Sequence, residues 1–196
     1  MVFLDYQNCY RGAREAFGME NLAHWEGQFD PVRLGNILAL RQPGQPTGER
    51  KLCGVRLYRG QPSSSKDPKG YAANRRQTQT WEDRGCVVIN RPLRYPGAWP
   101  RVREGEKGID VQLAIDFVTH AIHDAYDIGI LMSTDTDLVP ALEAVLDIGK
   151  RCEVATWRGP GYRRRLSVKG REMWCHWVDS VTYGRVADPT DYNRRR

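Results

Sequence analysis

Four aspartates placed at the ends of apolar runs carry the chemistry of this sequence: Asp5, Asp110, Asp135 and Asp137. Asp5 closes the run Val2-Phe-Leu, Asp135 and Asp137 follow the run 128–132, and Asp110 opens a long amphipathic stretch. Carboxylates gathered at one point repel one another and raise each other's pKa unless a cation shares the site. Oxygen-only donors of this kind suit Mg2+ or Mn2+ better than Zn2+. One or two such ions can activate water, orient it in line and stabilise the leaving oxygen of a phosphodiester. Each aspartate alone has a plainer use, because Asp is a favoured helix N-cap. The expectation of a site rests on several such residues, from separate elements, reaching one rim.

The elements needed to bring them together are legible as an alternation of short apolar runs and helical patterns, which predicts a parallel sheet with crossover helices. Strands are expected over 2–5, 52–58, 86–90, 128–132 and 152–156, with a sixth over 173–178. Helices are expected near Asp30-Pro31, over a polar stretch 71–84, over 109–124 and over 137–148. Asp30 suits an N-cap and Pro31 the first helical position. Residues 42–50, 61–70 and the long, proline-rich 91–108 read as loops, and long loops in compact domains are often functional. In an open parallel sheet, sites form beyond the carboxyl ends of the strands at a topological switch point. Asp5 and Asp135 both end at that rim. Helical periodicity puts Asp110 on the face of Ala114, Phe117 and Ala121, so it points inward at one end of its helix. Asp116 lies about 120° away on the same wheel and is assigned a supporting part.

The composition narrows the partners. The 196 residues carry a net charge of +6 and a pI of about 9.2, and 40% of them are hydrophobic. That is enough for an ordinary folded domain, expected over 1–187, with a basic tail over 188–196 expected to be disordered. A basic surface favours polyanions through phosphate contacts. The five cysteines are scattered, with no CxxC spacing, so reduced core residues in a cytoplasmic protein are expected rather than a zinc site. No apolar run approaches the roughly 20 residues that span a bilayer. No nucleophile elbow, Walker loop or dinucleotide glycine pattern occurs, and the four histidines form no ligand set.

The aspartate motifs resemble those of a known family. Phe3-Leu-Asp-Tyr-Gln-Asn8 is similar to the opening strand motif of the NYN family, a branch of the PIN-like nucleases. Lys107-Gly-Ile-Asp-Val-Gln-Leu-Ala-Ile-Asp116 resembles its second motif, and Ser133-Thr-Asp-Thr-Asp-Leu-Val-Pro140 its third. Order and spacing agree, and the resemblance covers roughly 2–157. Leu138 stands where an aromatic is common, and Tyr6 where glycine is often found. The resemblance implies an α/β, Rossmann-like (PIN-like) parallel sheet of five or six strands flanked by helices. It implies a ribonuclease dependent on Mg2+ or Mn2+, with Asp5, Asp110 and Asp135 catalytic and metal-binding and Asp137 a further ligand. Asn8, Ser133 and Asp116 would support them. Some members act as regulators, so a catalytically inactive RNA-binding module on the same fold is the alternative. A phosphatase with an aspartate nucleophile would need a second aspartate two residues after Asp5, where Gln7 stands.

Candidate substrate contacts follow the fifth strand. Arg158, Tyr162, Arg163, Arg164 and Arg165 should reach the rim of Asp135, and Lys107 lies beside Asp110. Arginines can hold phosphates while a tyrosine ring stacks on a base, which suits single-stranded RNA. Tyr95, Trp99 and Arg101 are candidates for a flap from the long loop. The edge near 173–178 offers a surface for a homodimer.

Overall fold

The computed structural model describes residues 1–41 and 49–194. Six strands form one parallel sheet: β1 (Val2–Asp5), β2 (Val55–Gln61), β3 (Cys86–Pro92), β4 (Ile128–Met132), β5 (Arg151–Trp157) and β6 (Cys175–Val178). Their spatial order is β3-β2-β1-β4-β5-β6. The chain therefore winds outward from β1 in one direction and restarts at β4 in the other, which puts the switch point between β1 and β4. Those two strands pair in parallel, with Val2 beside Ile130, Phe3 beside Leu131 and Leu4 beside Met132. Asp5 and Ser133, one residue further along each strand, emerge next to each other.

Six helices flank the sheet: α1 (Tyr6–Ala16), α2 (Pro31–Leu40), α3 (Pro68–Glu82), α4 (Ile109–Ile122), α5 (Val139–Asp147) and α6 (Ser180–Val186). The period of two in a strand splits the core. Val2, Leu4, Ile130 and Met132 face α1, α2, α3 and α6, whereas Phe3 and Leu131 face α4 and α5. On the second face Leu113, Phe117 and Ala121 recur at helical spacing and are fully buried against Phe3 and Leu131. Burying a side chain such as Leu or Phe stabilises by about 1.5–3 kcal/mol, so this stripe fixes α4, and with it Asp110 in its first turn.

Helix α2 forms as its sequence suggests: Pro31 is at its start, and Asp30 accepts from Val32 N and Arg33 N at 2.9 and 3.1 Å. Helix α1 arises where the apolar pattern assigns no element. It leaves β1 without a linker, capped by Asp5 itself, and its inward face is built from the small residues Cys9, Gly12, Ala13 and Ala16. Small residues allow a close approach. An added Cβ on Gly159, just after β5, would lie 1.7 Å from the carbonyl oxygen of Ala16. Gly159→Ala is expected to cost about 2–3 kcal/mol, because backbone rather than a side chain must give way. Urea unfolding checks it, and a wild-type midpoint would show that the two segments are not tightly docked.

Other differences are local. Strand β2 runs later than expected and includes the polar Arg59, Gly60 and Gln61, all paired with β3. The helix after Asp135 opens with a tight 3-10 turn, Thr136–Leu138. The loop expected over 42–50 lies mostly outside the described residues. Residues 188–194, expected to leave the fold as a tail, lie against it. Tyr192 is buried, its hydroxyl donates to Asp188 at 2.7 Å, and its carbonyl accepts from Arg76 Nε at 2.9 Å. Residues 195–196 fall outside the description. No helix among the described residues is long and apolar enough to cross a membrane.

Candidate acidic site at the switch point

The site is stapled together from the turns that follow β1 and β4. Asp5 is buried. One carboxylate oxygen accepts from Asn8 N at 3.2 Å, and the other accepts from the Ser133 hydroxyl at 2.9 Å. Ser133 Oγ in turn accepts from Asp135 N at 3.1 Å, so a single hydroxyl spans the two aspartates. Asn8 Oδ1 accepts from Thr134 N at 2.9 Å and from Thr134 Oγ1 at 3.1 Å. Asp135 caps the 3-10 turn by accepting from Asp137 N at 3.0 Å. The third aspartate arrives from the other face of the sheet. Gly108 takes a left-handed conformation, φ 77°, at the N-cap of α4, where it provides no side-chain cap. The lysine-glycine pair thus turns the chain so that Asp110 enters in the first turn. Asp5, Asp110 and Asp135 line one cavity of about 280 Å3.

The electrostatics are those of carboxylates raised first by burial and then by one another. Burial pushes the Asp5 carboxyl up to about 7; the Asn8 and Ser133 hydrogen bonds oppose this, and the charges of Asp110 and Glu106 add to it. Asp110 is also raised, first by burial and then by the charges of Asp135 and Asp137. A cation placed among them would reverse both effects. Among the described residues no three carboxylate, histidine or cysteine side chains close on one metal position. Mg2+ often takes only one or two protein carboxylates and keeps several waters, so an open, oxygen-only set fits that ion in its donor chemistry.

Three charged cavity residues, Glu106, Arg11 and Glu15, come from outside both the sequence motifs and the expected substrate contacts. Glu106 lines the cavity and accepts from Gly60 N at 2.8 Å; burial, followed by the Asp110 charge, raises its carboxyl. Its only sequence signal is an acidic residue directly before the lysine-glycine pair. Arg11 and Glu15 lie on the α1 face of Asn8, at spacings of three and seven. Glu15 pairs with Arg164 at 3.0 Å across the mouth.

The remaining candidates divide. Arg164 lines the cavity, whereas Lys107, Arg158, Arg163 and Arg165 are exposed outside its lining. Tyr162 lines the cavity as a wall: its ring is 4% exposed and packed in the core, so its face is not open to a base. Asp137 is exposed beside the cavity. Asp116 is turned away. It accepts from Tyr58 Oη at 2.8 Å and pairs with Arg56 at 3.2 Å; these partners overcome its partial burial and hold its carboxyl below the usual range. Tyr95 and Trp99 contact each other edge to face, and Tyr95 Oη accepts from Ser63 N at 2.9 Å, which ties the long loop to the β2–α3 connection.

Comparison with known proteins gives a family and a fold. The family model described as NYN domain matches residues 1–166. A crystal structure of a protein of unknown function from Vibrio parahaemolyticus is similar at 21% identity and a TM-score of 0.51. The match covers 79% of this chain and 78% of that one. No curated protein matches the sequence.

Proposed function

The chain belongs to the NYN domain family, whose members are generally nucleases of PIN-like fold. From that premise we propose that it is a divalent-metal-dependent ribonuclease acting on single-stranded RNA. One observation carries the proposal: Asp5, Asp110 and Asp135, delivered by three separate elements, line one cavity at the switch point of the sheet. Asp110 and Asp135 would hold Mg2+ or Mn2+, with Asp5 below them and Asp137 at the margin. When bound, the ion supplies Lewis acidity, lowering the pKa of water and neutralising charge on the phosphodiester. Ser133 and Asn8 fix the turns that carry Asp5 and Asp135, and so set the spacing of the carboxylates. Arg11 and Arg164 at the cavity, with the exposed Lys107, Arg158, Arg163 and Arg165 around it, would hold the RNA backbone. Asp116 supports the site indirectly by pinning α4 to Arg56 and Tyr58. With all five cysteines free, we assign the protein to a reducing compartment, the cytoplasm. The edge strand β6 is the surface through which two copies would pair.

A second reading, an RNA-binding module without turnover, is favoured by the Glu15–Arg164 ion pair across the mouth. Labelled single-stranded RNA incubated with Mn2+, with Mg2+ and with chelator separates the two. Metal-dependent cleavage that disappears in Asp5→Asn is the expected result. Salt-sensitive binding without cleavage in either metal would replace the nuclease by the binding module.

A further inference from the structure

A second cavity, of about 450 Å3, shares Gln7, Arg11 and Glu106 with the acidic one. Arg59 enters it from β2. This arginine is 9% exposed, and its guanidinium carbon lies 4.7 Å from the ring centre of Tyr6 and 5.0 Å from that of Trp81. Its Nη1 donates to Gln77 Oε1 at 2.9 Å, and its Nε has no hydrogen-bond partner. Arg59 joins none of the ion pairs among the described residues, whereas Arg50 meets Glu153 at 2.5 Å. A guanidinium stays charged in proteins, and a buried charge is costly unless an opposite charge answers it. The two aromatic rings offset part of that cost, and the Glu106 carboxylate of the same cavity attracts the guanidinium without pairing with it.

Asn74, which also lines the cavity, is 4% exposed. Its Nδ2 donates to the Gly60 carbonyl at 3.1 Å, and its Oδ1 has no partner. Both unpartnered atoms are sealed from the cavity, so what Arg59 offers a ligand is the accessible remainder of its guanidinium, a cationic donor. A nucleotide presents the counterpart, a phosphate. Gly70 and Ala73 of α3 add small residues to the cavity wall, and Glu106 and Arg11 line it on the side shared with the acidic site. The volume lies within the usual range for small-molecule pockets, roughly 300–1,000 Å3.

We propose that this second cavity receives the substrate nucleotide adjoining the bond to be cut, with its phosphate on Arg59. Its place next to a cut bond rests on the nuclease reading of the acidic cavity; its affinity for a nucleotide does not.

Titration of the full chain in chelator with uridine 5′-monophosphate, and separately with uridine, tests this by calorimetry. The monophosphate should bind at least about tenfold more tightly than uridine, the usual worth of a charge-assisted hydrogen bond. Arg59→Gln should abolish that difference. If that variant does not fold, Ala73→Glu carries the test, because it places a carboxylate in the cavity without disturbing the aromatic rings around Arg59. It should weaken monophosphate binding about tenfold or more. Equal affinity for monophosphate and uridine, or unchanged binding in Ala73→Glu, overturns the proposal. Monophosphate binding by a protein that cuts no RNA would keep the subsite and remove the nuclease, and cleavage without monophosphate binding would do the reverse.

Discussion

Asp135→Asn is expected to lower metal-dependent RNA cleavage by on the order of a hundredfold or more and to leave the melting temperature within a degree or two of wild type. The two halves of that result have separate causes. In the fold, Asp135 acts as a cap: its side chain accepts from Asp137 N, and its own N donates to Ser133 Oγ. Asparagine caps as well as aspartate does, so the turn and its hydrogen bonds survive. What is removed is one negative charge on the wall of the acidic cavity, beside Asp110, whose carboxyl that charge helps to raise. A divalent ion held by few carboxylates loses most of its affinity with one of them. Turnover at saturating Mn2+, measured beside a thermal melt, checks both halves. Near-normal turnover would take Asp135 out of the chemistry and leave it as a cap. A large fall in melting temperature would mean that the loss of cleavage reports folding instead.

That dual use explains what could be read from the sequence and what could not. A cap and a metal ligand both call for an aspartate at the end of a strand, so Asp5 and Asp135 could be located, but the cap role alone would have produced the same letters. Position settled more than type: β1 and β4 are short, apolar and neighbours in the sheet, so residues at their carboxyl ends meet whatever their identity. Strand β4 lies where the apolar run predicts, because both of its faces are covered and the run has sharp polar ends. Helix α1 was hidden for the opposite reason. Its inward face is cysteine, glycine and alanine rather than leucine, since it must approach the chain at Gly159 closely. Arg11, Glu15 and much of the cavity wall were hidden with it. Tyr162 looked like a loop aromatic among arginines, yet it is buried. The glycine at position 12 leaves room for its hydroxyl, which would lie 2.8 Å from a Cβ there. Arg59 reads in sequence as the polar end of a strand. Its burial comes from Tyr6 and Trp81, which belong to two helices that meet only in the folded chain. Local pattern reports alternation along one element, and it carries no information about a side chain enclosed by three.

Asp5→Asn should make the metal-free protein more stable at pH 8 and alter it much less at pH 5. The sign follows from where the proton sits. In the folded chain burial pushes the Asp5 carboxyl from 3.8 up to about 7, so between those values the folded state holds a proton that the unfolded state has released. Stability then falls as pH rises across that window and levels off above it, by about 1.4 kcal/mol for each unit of difference. The full effect at pH 8 is on the order of 2–4 kcal/mol, and it is the cost of burying an ionised carboxylate between Asn8 N and the Ser133 hydroxyl with Asp110 and Glu106 nearby. Asparagine cannot ionise. It can still accept from Asn8 N, and the Ser133 hydroxyl can turn to accept from its amide, so the variant avoids the cost without opening the site. Glu106 and Asp110 are raised as well and destabilise in the same direction; their own burial is common to both proteins and cancels, and only their repulsion of Asp5 stays in the comparison. The measurement is therefore a difference of differences: unfolding free energy of variant minus wild type, at pH 8 and at pH 5, in chelator. A variant that gains nothing on going from pH 5 to pH 8 would mean that Asp5 is ionised in the fold at both, with water or a neighbour meeting its charge. Manganese added at pH 8 should then separate the proteins in the opposite sense. A cation that answers the ionised Asp5 carboxylate stabilises the wild type through linkage to folding, and asparagine offers it no charge.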